Sequence, residues 1–464
     1  MFTTNKIMND FKLQNKKNLI LKTIYTSSIN KMKKDIKILG LLILFKLILG
    51  FSYSTFIVGH FSYMAFTLDF NVYKYLLSWL LLIGIYFVIP KDKKPSSIFL
   101  QLHFIIMFIP KLTIYAFMNQ STRFLLLCIG IFVLQCILVK LIPNVKIAYI
   151  KNSKNILYFS SLAGITIFVY ASMIIANGVP DFTALNLLDV YYVRGNVVHS
   201  FSMSYLATWQ ERVINPLFIT MSYFNKKWKL LIVSIGLHVL IFMITANKAT
   251  FFIPIAIVVV STIYKKNDFF LILSKIAIAG IIGSLVFYQM TQNILLPSLF
   301  LRRFLFIPAQ LRFFYYDFFS QNEFLYFSEG IVGLIFGTRS PYDMPSSVFI
   351  PILYIGNEGW GNTGYLADAY ANMGVLGMLI LSSLLVFIFK LTDSLALKIN
   401  PEVVIGISLF SVLALNDGAL LTTLLTRGWL FLLFALYLYP ASDLQKPTLA
   451  FKKTIATSKT KREG

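Results

Sequence analysis

The chain has 464 residues, of which 57% are hydrophobic and only 13% are charged, and its mean hydropathy is +0.74. Soluble domains carry about 25% charged residues, so the composition excludes an ordinary soluble protein. The formal net charge of +23 would suit a nucleic-acid-binding protein. The lysines, however, form short clusters between apolar runs, as in the cytoplasmic loops of membrane proteins. We therefore expect a membrane protein with no nucleic-acid partner.

Twelve apolar segments are predicted to cross the bilayer as helices, because about 20 apolar residues span its hydrocarbon core. They are residues 38–58, 75–89, 98–118, 124–142, 156–176, 205–224, 230–246, 250–264, 269–290, 365–389, 403–415 and 420–439. The fold class is therefore predicted to be all-α and polytopic. The first 35 residues are too long and too charged for the start of a signal peptide, so the first span is expected to be uncleaved.

The distribution of lysines predicts the orientation of these spans. With the basic N-terminus, residues 1–37, in the cytoplasm, every lysine-rich connection falls on the same side: loops 91–94, 146–154, 226–229, 265–268 and 390–398, and the tail 441–464. Removing the polar span 205–224 would move later lysine loops to the outside. We therefore predict an even number of spans, one transmembrane domain over 38–440, and both termini in the cytoplasm.

Two external connections are long enough to carry a functional site, residues 177–204 and residues 291–364, the latter between the ninth and tenth spans. Within the second, residues 308–319 are predicted to form a short helix that begins at Pro308. Its Arg312, Tyr315, Tyr316 and Phe319 would share a cationic, aromatic surface at the membrane interface. The glycine-rich stretch 356–364 leads into the tenth span.

External cations, including Lys248 at the tip of a separate hairpin, are the sharpest functional signal. The candidates for substrate binding are Arg194, Lys248, Arg302, Arg303, Arg312 and Arg339. Arginine pairs bidentately with phosphate oxygens, so such a cluster would suit a lipid-linked pyrophosphate. The alternative is that these arginines pair with neighbouring carboxylates or with lipid headgroups.

Three residues are candidates for a general base: His199, Glu358 and Asp368. Histidine can accept a proton near neutral pH, and a carboxylate could deprotonate a sugar hydroxyl. Equally, His199 could be a solvated loop residue, and the carboxylates could cap a helix or form ion pairs. Trp360 and Tyr365 could stack on sugar rings, although most aromatic residues here are expected at membrane interfaces and in the core.

Ionisable residues inside spans are functional candidates by default, because they are costly to insert. Among them are Glu211 and Arg212 in the sixth span, Asp368 in the tenth and Arg427 in the twelfth. Lys46 lies in the first span, where its ammonium group is expected to snorkel towards the interface.

The chain contains no signature of a metal or nucleotide site. Cys128 and Cys136 lie in one apolar run, and HExxH, CxxC and paired-aspartate motifs are missing from the sequence, as are a phosphate-binding loop and a Rossmann fingerprint. We therefore expect no metal and no cofactor.

Four short stretches resemble motifs of a known family. They are residues 191–195 (YYVRG), residues 245–250 (TANKAT), Arg303 through the aromatic run 315–319 (YYDFF), and residues 362–370 (NTGYLADAY) followed by Gly374 and Gly377. With the two external loops, these stretches resemble the O-antigen polymerases, the oligosaccharide repeat-unit polymerases of Gram-negative inner membranes. The resemblance covers approximately residues 38 to 440.

The resemblance implies a GT-C-like glycosyltransferase of the inner membrane. Its substrates would be undecaprenyl-pyrophosphate-linked oligosaccharides in the lipid bilayer, and a polysaccharide chain-length regulator is a candidate partner. As a hypothesis, Arg194, Arg302, Arg303 and Arg312 hold the pyrophosphates, while a carboxylate or His199 takes the proton of the acceptor hydroxyl.

Other functions stay open at this stage. An O-antigen ligase shares twelve spans, a long external loop and the chemical class, but uses a different acceptor. A transporter or flippase would often show internal repeats, which this sequence lacks. A membrane scaffold without chemistry would leave the external arginine, aromatic and glycine-rich elements unexplained.

Overall fold

The computed structural model describes residues 2–147, 155–178, 180, 197, 200–265, 268–356, 361 and 363–439. Helices account for about 81% of the structure, and no β-strand occurs in these described ranges. Large apolar side chains point outward from several helices, for example Leu80 at 69%, Ile232 at 71% and Ile175 at 85% exposure. An apolar exterior of this kind suits lipid contact. The prediction of an all-α membrane protein is confirmed.

Eight helical segments are long and apolar enough to cross a membrane. They are Ser28–Met64, Pro95–Phe117, Thr122–Leu141, Ile156–Asn177, Trp228–Thr245, Phe269–Thr291, Tyr365–Lys398 and Leu420–Leu438. The other four predicted spans are also helical: Val72–Val88, the run from Phe201–Trp209 through Asn215–Phe224, Lys248–Lys265 and Pro401–Ala414. Each predicted apolar segment is thus a helix, and eight of the twelve qualify as spans by length and composition.

Two helices extend beyond the limits that hydropathy predicts. The first helix begins at Phe2 rather than at residue 38, so the predicted boundary at residue 37 falls within a helix. The helix from Tyr365 continues to Lys398 through the predicted loop 390–398. There the Lys390 ammonium lies 3.3 Å from Asp393, and Asp393 accepts hydrogen bonds from the backbone N–H and hydroxyl of Ser96. Burial of this pair explains why charged residues continue the helix.

Several helices contain a local irregularity. Single π-helical turns occupy Tyr53–Ile57, Phe104–Phe108 and Gln210–Ile214, and a longer π-helical stretch covers Ser298–Phe306. Such turns are rare and frequently lie at functional sites. The last predicted span is divided into Leu420–Leu424 and Trp429–Leu438. At the break, the carbonyl of Leu425 accepts hydrogen bonds from the Gly428 N–H at 3.2 Å and from Trp209 Nε1 at 3.1 Å.

The long connection between Thr291 and Tyr365 is largely helical. It contains Leu295–Pro297, Ser298–Phe306, Ile307–Phe319, Ile331–Phe336 and Ser346–Ile355. The Ile307–Phe319 helix has proline in its first turn, as predicted. It packs against the Tyr365–Lys398 helix and the Ile109–Phe117 helix, so the connection folds into the bundle.

The prediction for Lys46 is wrong. Its side chain is 2% exposed, donates a hydrogen bond to Ser78 Oγ, and places its ammonium 3.8 Å from the centre of the Trp79 ring. A hydroxyl and an aromatic face together replace part of the lost hydration. The ammonium therefore stays between helices and does not reach the interface.

Candidate functional site

Arg312 is fully enclosed although it belongs to the long connection, and its exposed fraction is 0%. Its Nε donates a hydrogen bond to the carbonyl oxygen of Thr363 at 3.0 Å, and its Nη1 donates to that of Met107 at 3.3 Å. Its Nη2 donates to the backbone carbonyl of Asn416 and, at 2.7 Å, to the side-chain Oδ1 of the same residue. One guanidinium group thus joins three distant parts of the chain.

This geometry gives Arg312 a different role from the one predicted. A guanidinium group has five N–H donors, and carbonyl oxygens already accept hydrogen bonds from three of its nitrogens. Burial lowers the pKa of Arg312 to about 10, so the group is still protonated at neutral pH. The prediction of a cationic surface at the membrane interface is wrong, because Arg312, Tyr315, Tyr316 and Phe319 are all buried. The three aromatic side chains pack into the bundle, and Arg312 donates hydrogen bonds to buried carbonyl groups.

The glycine of the 362–370 motif is explained by the same contact. Gly364 has a φ of +80°, and a Cβ atom there would lie 2.6 Å from the carbonyl oxygen of Asn416 and 2.9 Å from Arg312 Nη2. The next residue, Tyr365, donates its backbone N–H to the Leu415 carbonyl at 3.2 Å. Only glycine suits this backbone conformation and this spacing. The start of the Tyr365–Lys398 helix is thereby fixed against residues 415–416.

Arg427, predicted to lie within the last span, occupies the break in that span. Its Nη1 donates to the carbonyl of Ala414 at 2.8 Å and lies 2.8 Å from Asp417 Oδ1. Arg312 and Arg427 therefore both donate hydrogen bonds to backbone carbonyls at the C-terminal end of the Pro401–Ala414 helix. Cations are favourable at such an end because of the helix dipole, so this arrangement accounts for Arg427 without a ligand.

Tyr365 lies inside the bundle, at 0% exposure, and its hydroxyl lies 3.1 Å from Gln135 Oε1, to which it donates a hydrogen bond. The His103 ring is 6.0 Å from the Tyr365 ring, and His103 Nε2 lies 3.2 Å from the carbonyl of Val412. The predicted stacking of Tyr365 on a sugar ring has no open ring face in this arrangement.

Asp368 lies in the first turn of the Tyr365–Lys398 helix, just before a kink at Met373 and Gly374. The segment before the kink is held by two backbone hydrogen bonds from the connection: Leu325 to the Ala371 carbonyl at 2.9 Å, and Tyr326 to the Asn372 carbonyl at 3.0 Å. Gly374 adopts φ +58° and ψ −141°, and a Cβ atom there would meet the Phe324 ring at 2.9 Å. Asp368 is therefore carried on a short helical segment whose direction is set by the connection.

A second carboxylate, Glu329, belongs to the same region. Its two oxygens accept hydrogen bonds from the backbone N–H of Ser346 at 2.7 Å and from its hydroxyl at 2.6 Å, which fixes the start of the Ser346–Ile355 helix. Burial raises the pKa of Tyr315, and the negative charges of Asp368 and Glu329 raise it further. Asp368, Glu329 and Tyr315, from three parts of the chain, therefore influence one another electrostatically.

The remaining arginines of the connection differ in exposure. Arg303 and Arg339 are exposed, and Arg302 is half-buried. Arg302 Nη1 lies 3.3 Å from the hydroxyl of Tyr63, and its guanidinium carbon is 4.5 Å from the centre of the Phe61 ring. Of the arginines of this connection, Arg302 and Arg303 are adjacent in sequence and accessible, whereas Arg339 lies in a separate irregular segment.

Five predicted site residues have no described side chain. Arg194, His199, Glu358 and Trp360 lie outside the described residues, and Lys248 begins the Lys248–Lys265 helix without a described side chain. The preceding residue of that turn, Asn247, donates its side-chain N–H to Glu211 Oε1 at 2.9 Å. The turn at residues 245–250 is thereby joined to the polar sixth helix.

Sequence reasoning missed two further ionisable residues. Lys111 is 0% exposed in the Ile109–Phe117 helix, with its ammonium 4.8 Å from the Phe108 ring centre and near the Cys128 thiol. His60 lies at the exposed end of the first helix, beside Tyr288. The sequence signal for Lys111 was a single cation within an apolar run. For His60, no sequence pattern indicated that it lies beside the ninth predicted span.

Comparisons of the chain with protein-family models, with curated proteins and with solved structures find no match.

Proposed function

We propose that this protein polymerises undecaprenyl-pyrophosphate-linked oligosaccharide repeat units into O-antigen, or a similar surface polysaccharide, on the periplasmic side of the bacterial inner membrane. The proposal includes a twelve-span, GT-C-like architecture with both termini in the cytoplasm. It starts from the resemblance of four short stretches to the O-antigen polymerases.

One structural observation supports the proposal above the others. Two of the resembling stretches, Arg303 to Phe319 and the described residues 363–370, are well separated in the chain but pack together in the fold. Arg312 of the first donates directly to Thr363 of the second at 3.0 Å. Residues that share a catalytic site must meet in this way.

In the proposed reaction, a hydroxyl oxygen of the acceptor repeat unit attacks the anomeric carbon of the donor glycan. The new C–O bond forms as the bond between that carbon and the carrier pyrophosphate breaks, and the pyrophosphate leaves with the bonding electron pair. Arg302 and Arg303, with Arg194, stabilise the leaving charge through charge-assisted hydrogen bonds. Asp368 accepts the hydroxyl proton, with Glu358 and His199 as the alternative bases.

Arg312 takes a supporting part in this scheme. It fixes Thr363 and Asn416, and therefore the short helix that carries Asp368, instead of contacting the substrate. Lys248 and Arg339 stay candidates for substrate binding, as does Trp360 for stacking on a sugar ring. A chain-length regulator stays a candidate partner.

The test is gel electrophoresis of lipopolysaccharide from a strain that lacks the gene. Core with a single repeat, and loss of the ladder, is the expected result. Polymer that accumulates on its lipid carrier would instead identify a ligase, and an unchanged ladder would contradict both enzymes and favour a transporter.

Complementation of that strain tests the proposed base. We expect Asp368→Asn to restore no ladder and Asp343→Asn, an exposed aspartate of the same connection, to restore it fully. Both variants remove one negative charge, so they separate a catalytic carboxylate from a general charge effect. A full ladder with Asp368→Asn would pass the role to Glu358 or His199.

A further inference from the structure

The first helix, the Phe269–Thr291 helix and the π-helical stretch Ser298–Phe306 end or pass close together at one exposed corner of the bundle. Contacts between these elements place His60, Tyr288 and Arg302 around the Phe56 and Phe61 rings. His60 and Arg303 are exposed, and Tyr63 is 60% exposed. We call His60, Tyr63, Tyr288, Arg302 and Arg303 the corner cluster.

The corner cluster is built for a negative ligand. Residues 53–64 and 284–303, which supply all of its members, contain no aspartate or glutamate and two arginines. The hydroxyl of Tyr63 lies 3.3 Å from Arg302 Nη1, and the Phe61 ring faces the same guanidinium group at 4.5 Å. These contacts fix the orientation of Arg302 beside the exposed Arg303. An oriented pair of arginines matches the oxygens of a phosphate.

His60 and Tyr288 add a second pair of polar groups to the corner cluster. His60 Nδ1 lies 3.0 Å from the Phe56 carbonyl, which can only accept, so Nδ1 carries the proton. His60 Nε2 then accepts a hydrogen bond from the Tyr288 hydroxyl at 2.8 Å. The Phe56 ring stacks on the imidazole at 4.5 Å and holds its plane. The imidazole is thereby held in place on an exposed surface, although the charge of this site comes from the arginines.

The surroundings of the cluster indicate that its ligand resides in the membrane. Two of the three elements are apolar helices of spanning length, Ser28–Met64 and Phe269–Thr291. Large apolar side chains beside the cluster are exposed: Met290 at 80%, Ile294 at 43% and Phe300 at 44%. A charged surface bordered by exposed apolar side chains at the ends of spans is the position of a lipid headgroup. An isoprenoid tail could lie along the apolar helices while its phosphates contact the arginines.

We propose that the corner cluster binds the pyrophosphate of an isoprenoid lipid carrier, with His60 and Tyr288 as previously unassigned members of the site. The inference rests on the proposed function only for the choice of this carrier. It adds the end of the first helix to the external arginines that the sequence predicts, and so places the substrate's approach beside that helix.

The test measures binding of undecaprenyl pyrophosphate to the purified full-length protein in nanodiscs of phosphatidylcholine, with undecaprenol as the uncharged probe. Arg302→Gln with Arg303→Gln is expected to raise the Kd at least tenfold. The matched control is Lys227→Gln with Lys229→Gln, which removes the same charge from two exposed lysines at the start of the Trp228–Thr245 helix. It should change the Kd less than twofold. Both double variants should bind undecaprenol equally.

A second set of variants tests His60 and Tyr288. His60→Gln and Tyr288→Phe are each expected to raise the Kd threefold to tenfold, whereas Thr55→Val, an exposed change on the same helix, should leave it unaltered. Equal binding by all variants would overturn the inference. So would loss of the difference between variants when phosphatidylglycerol replaces part of the bilayer, because the cluster would then be a general site for anionic phospholipids.

Polymerisation measured in parallel separates this inference from the proposed function. If carrier binding depends on the corner cluster but the protein has no polymerase activity, the inference is supported and the proposed function is contradicted. If the protein is a polymerase but carrier binding is unaffected by changes in the corner cluster, the proposed function is supported and the inference is contradicted.

Discussion

Replacing Arg312 is the most direct test of how the functional region is assembled. Arg312→Ala would leave four acceptors without their donor: the carbonyls of Thr363 and Met107, and both oxygens of Asn416. A buried polar group without a partner costs about 1–3 kcal/mol, and part of this loss is offset because a buried cation is also removed. We expect a net destabilisation of about 3–5 kcal/mol, the sum of several such penalties after this offset.

Thermal unfolding followed by fluorescence in detergent would measure this loss. At about 2 °C per kcal/mol, the melting temperature should fall by on the order of 6–10 °C. Arg303→Ala is the matched control, because Arg303 is exposed and surface changes usually stay within about 0.5 kcal/mol. Arg312→Lys should fall between the two, since an ammonium group keeps the charge but not the planar arrangement of donors.

The reasoning would be refuted by an Arg312→Ala protein that unfolds at the wild-type temperature. If such a protein also lost polymerisation, Arg312 would act on the substrate and not on the fold. A protein that is destabilised, but whose polymerisation at low temperature recovers, would agree with the supporting role proposed here.

Three more changes can be followed by the same thermal unfolding. Lys111→Met should stabilise the protein by about 1–3 kcal/mol, because the buried ammonium has only the weak Cys128 thiol and the Phe108 and Phe124 rings beside it; a loss of more than 1 kcal/mol would show that these contacts satisfy the lysine. Gly374→Ala should cost about 2–4 kcal/mol through its positive φ and the nearby Phe324 ring, whereas Gly283→Ala, with open space around it, should be neutral or better. Asp393→Ala should cost about 3–5 kcal/mol by leaving a buried lysine unpaired, and an unchanged melting temperature would mean that this pair is hydrated.

Fold class was the part of the structure most accessible to sequence reasoning. Hydropathy located a helix at each of twelve apolar segments, because a lipid environment requires long apolar helices whose backbone groups are satisfied within the helix. The ends of the helices were less predictable. The helix from Tyr365 runs to Lys398 because Lys390 and Asp393 form a buried ion pair, and Asp393 also accepts a hydrogen bond from the start of a neighbouring helix. No local sequence pattern encodes these contacts.

The chemistry of the site was only partly predictable. The arginines of the long connection were identified as a group, yet the fold separates them: Arg303 is exposed, while Arg312 is fully enclosed. Whether an arginine contacts solvent or carbonyl groups depends on what other elements bring to it. The carbonyl of Met107 is 205 residues away from Arg312 in the chain, which is beyond any local reading.

The sequence by itself determined that the protein is an all-α membrane protein, because composition and the length of apolar runs follow directly from the bilayer as solvent. Only the tertiary structure decided that Lys46 and Arg312 are buried, that the helix carrying Asp368 is kinked, and that His60 lies beside Tyr288. Those outcomes depend on hydrogen bonds and packing between residues far apart in the chain, so the same side chain can be a surface cation in one arrangement and an internal support in another.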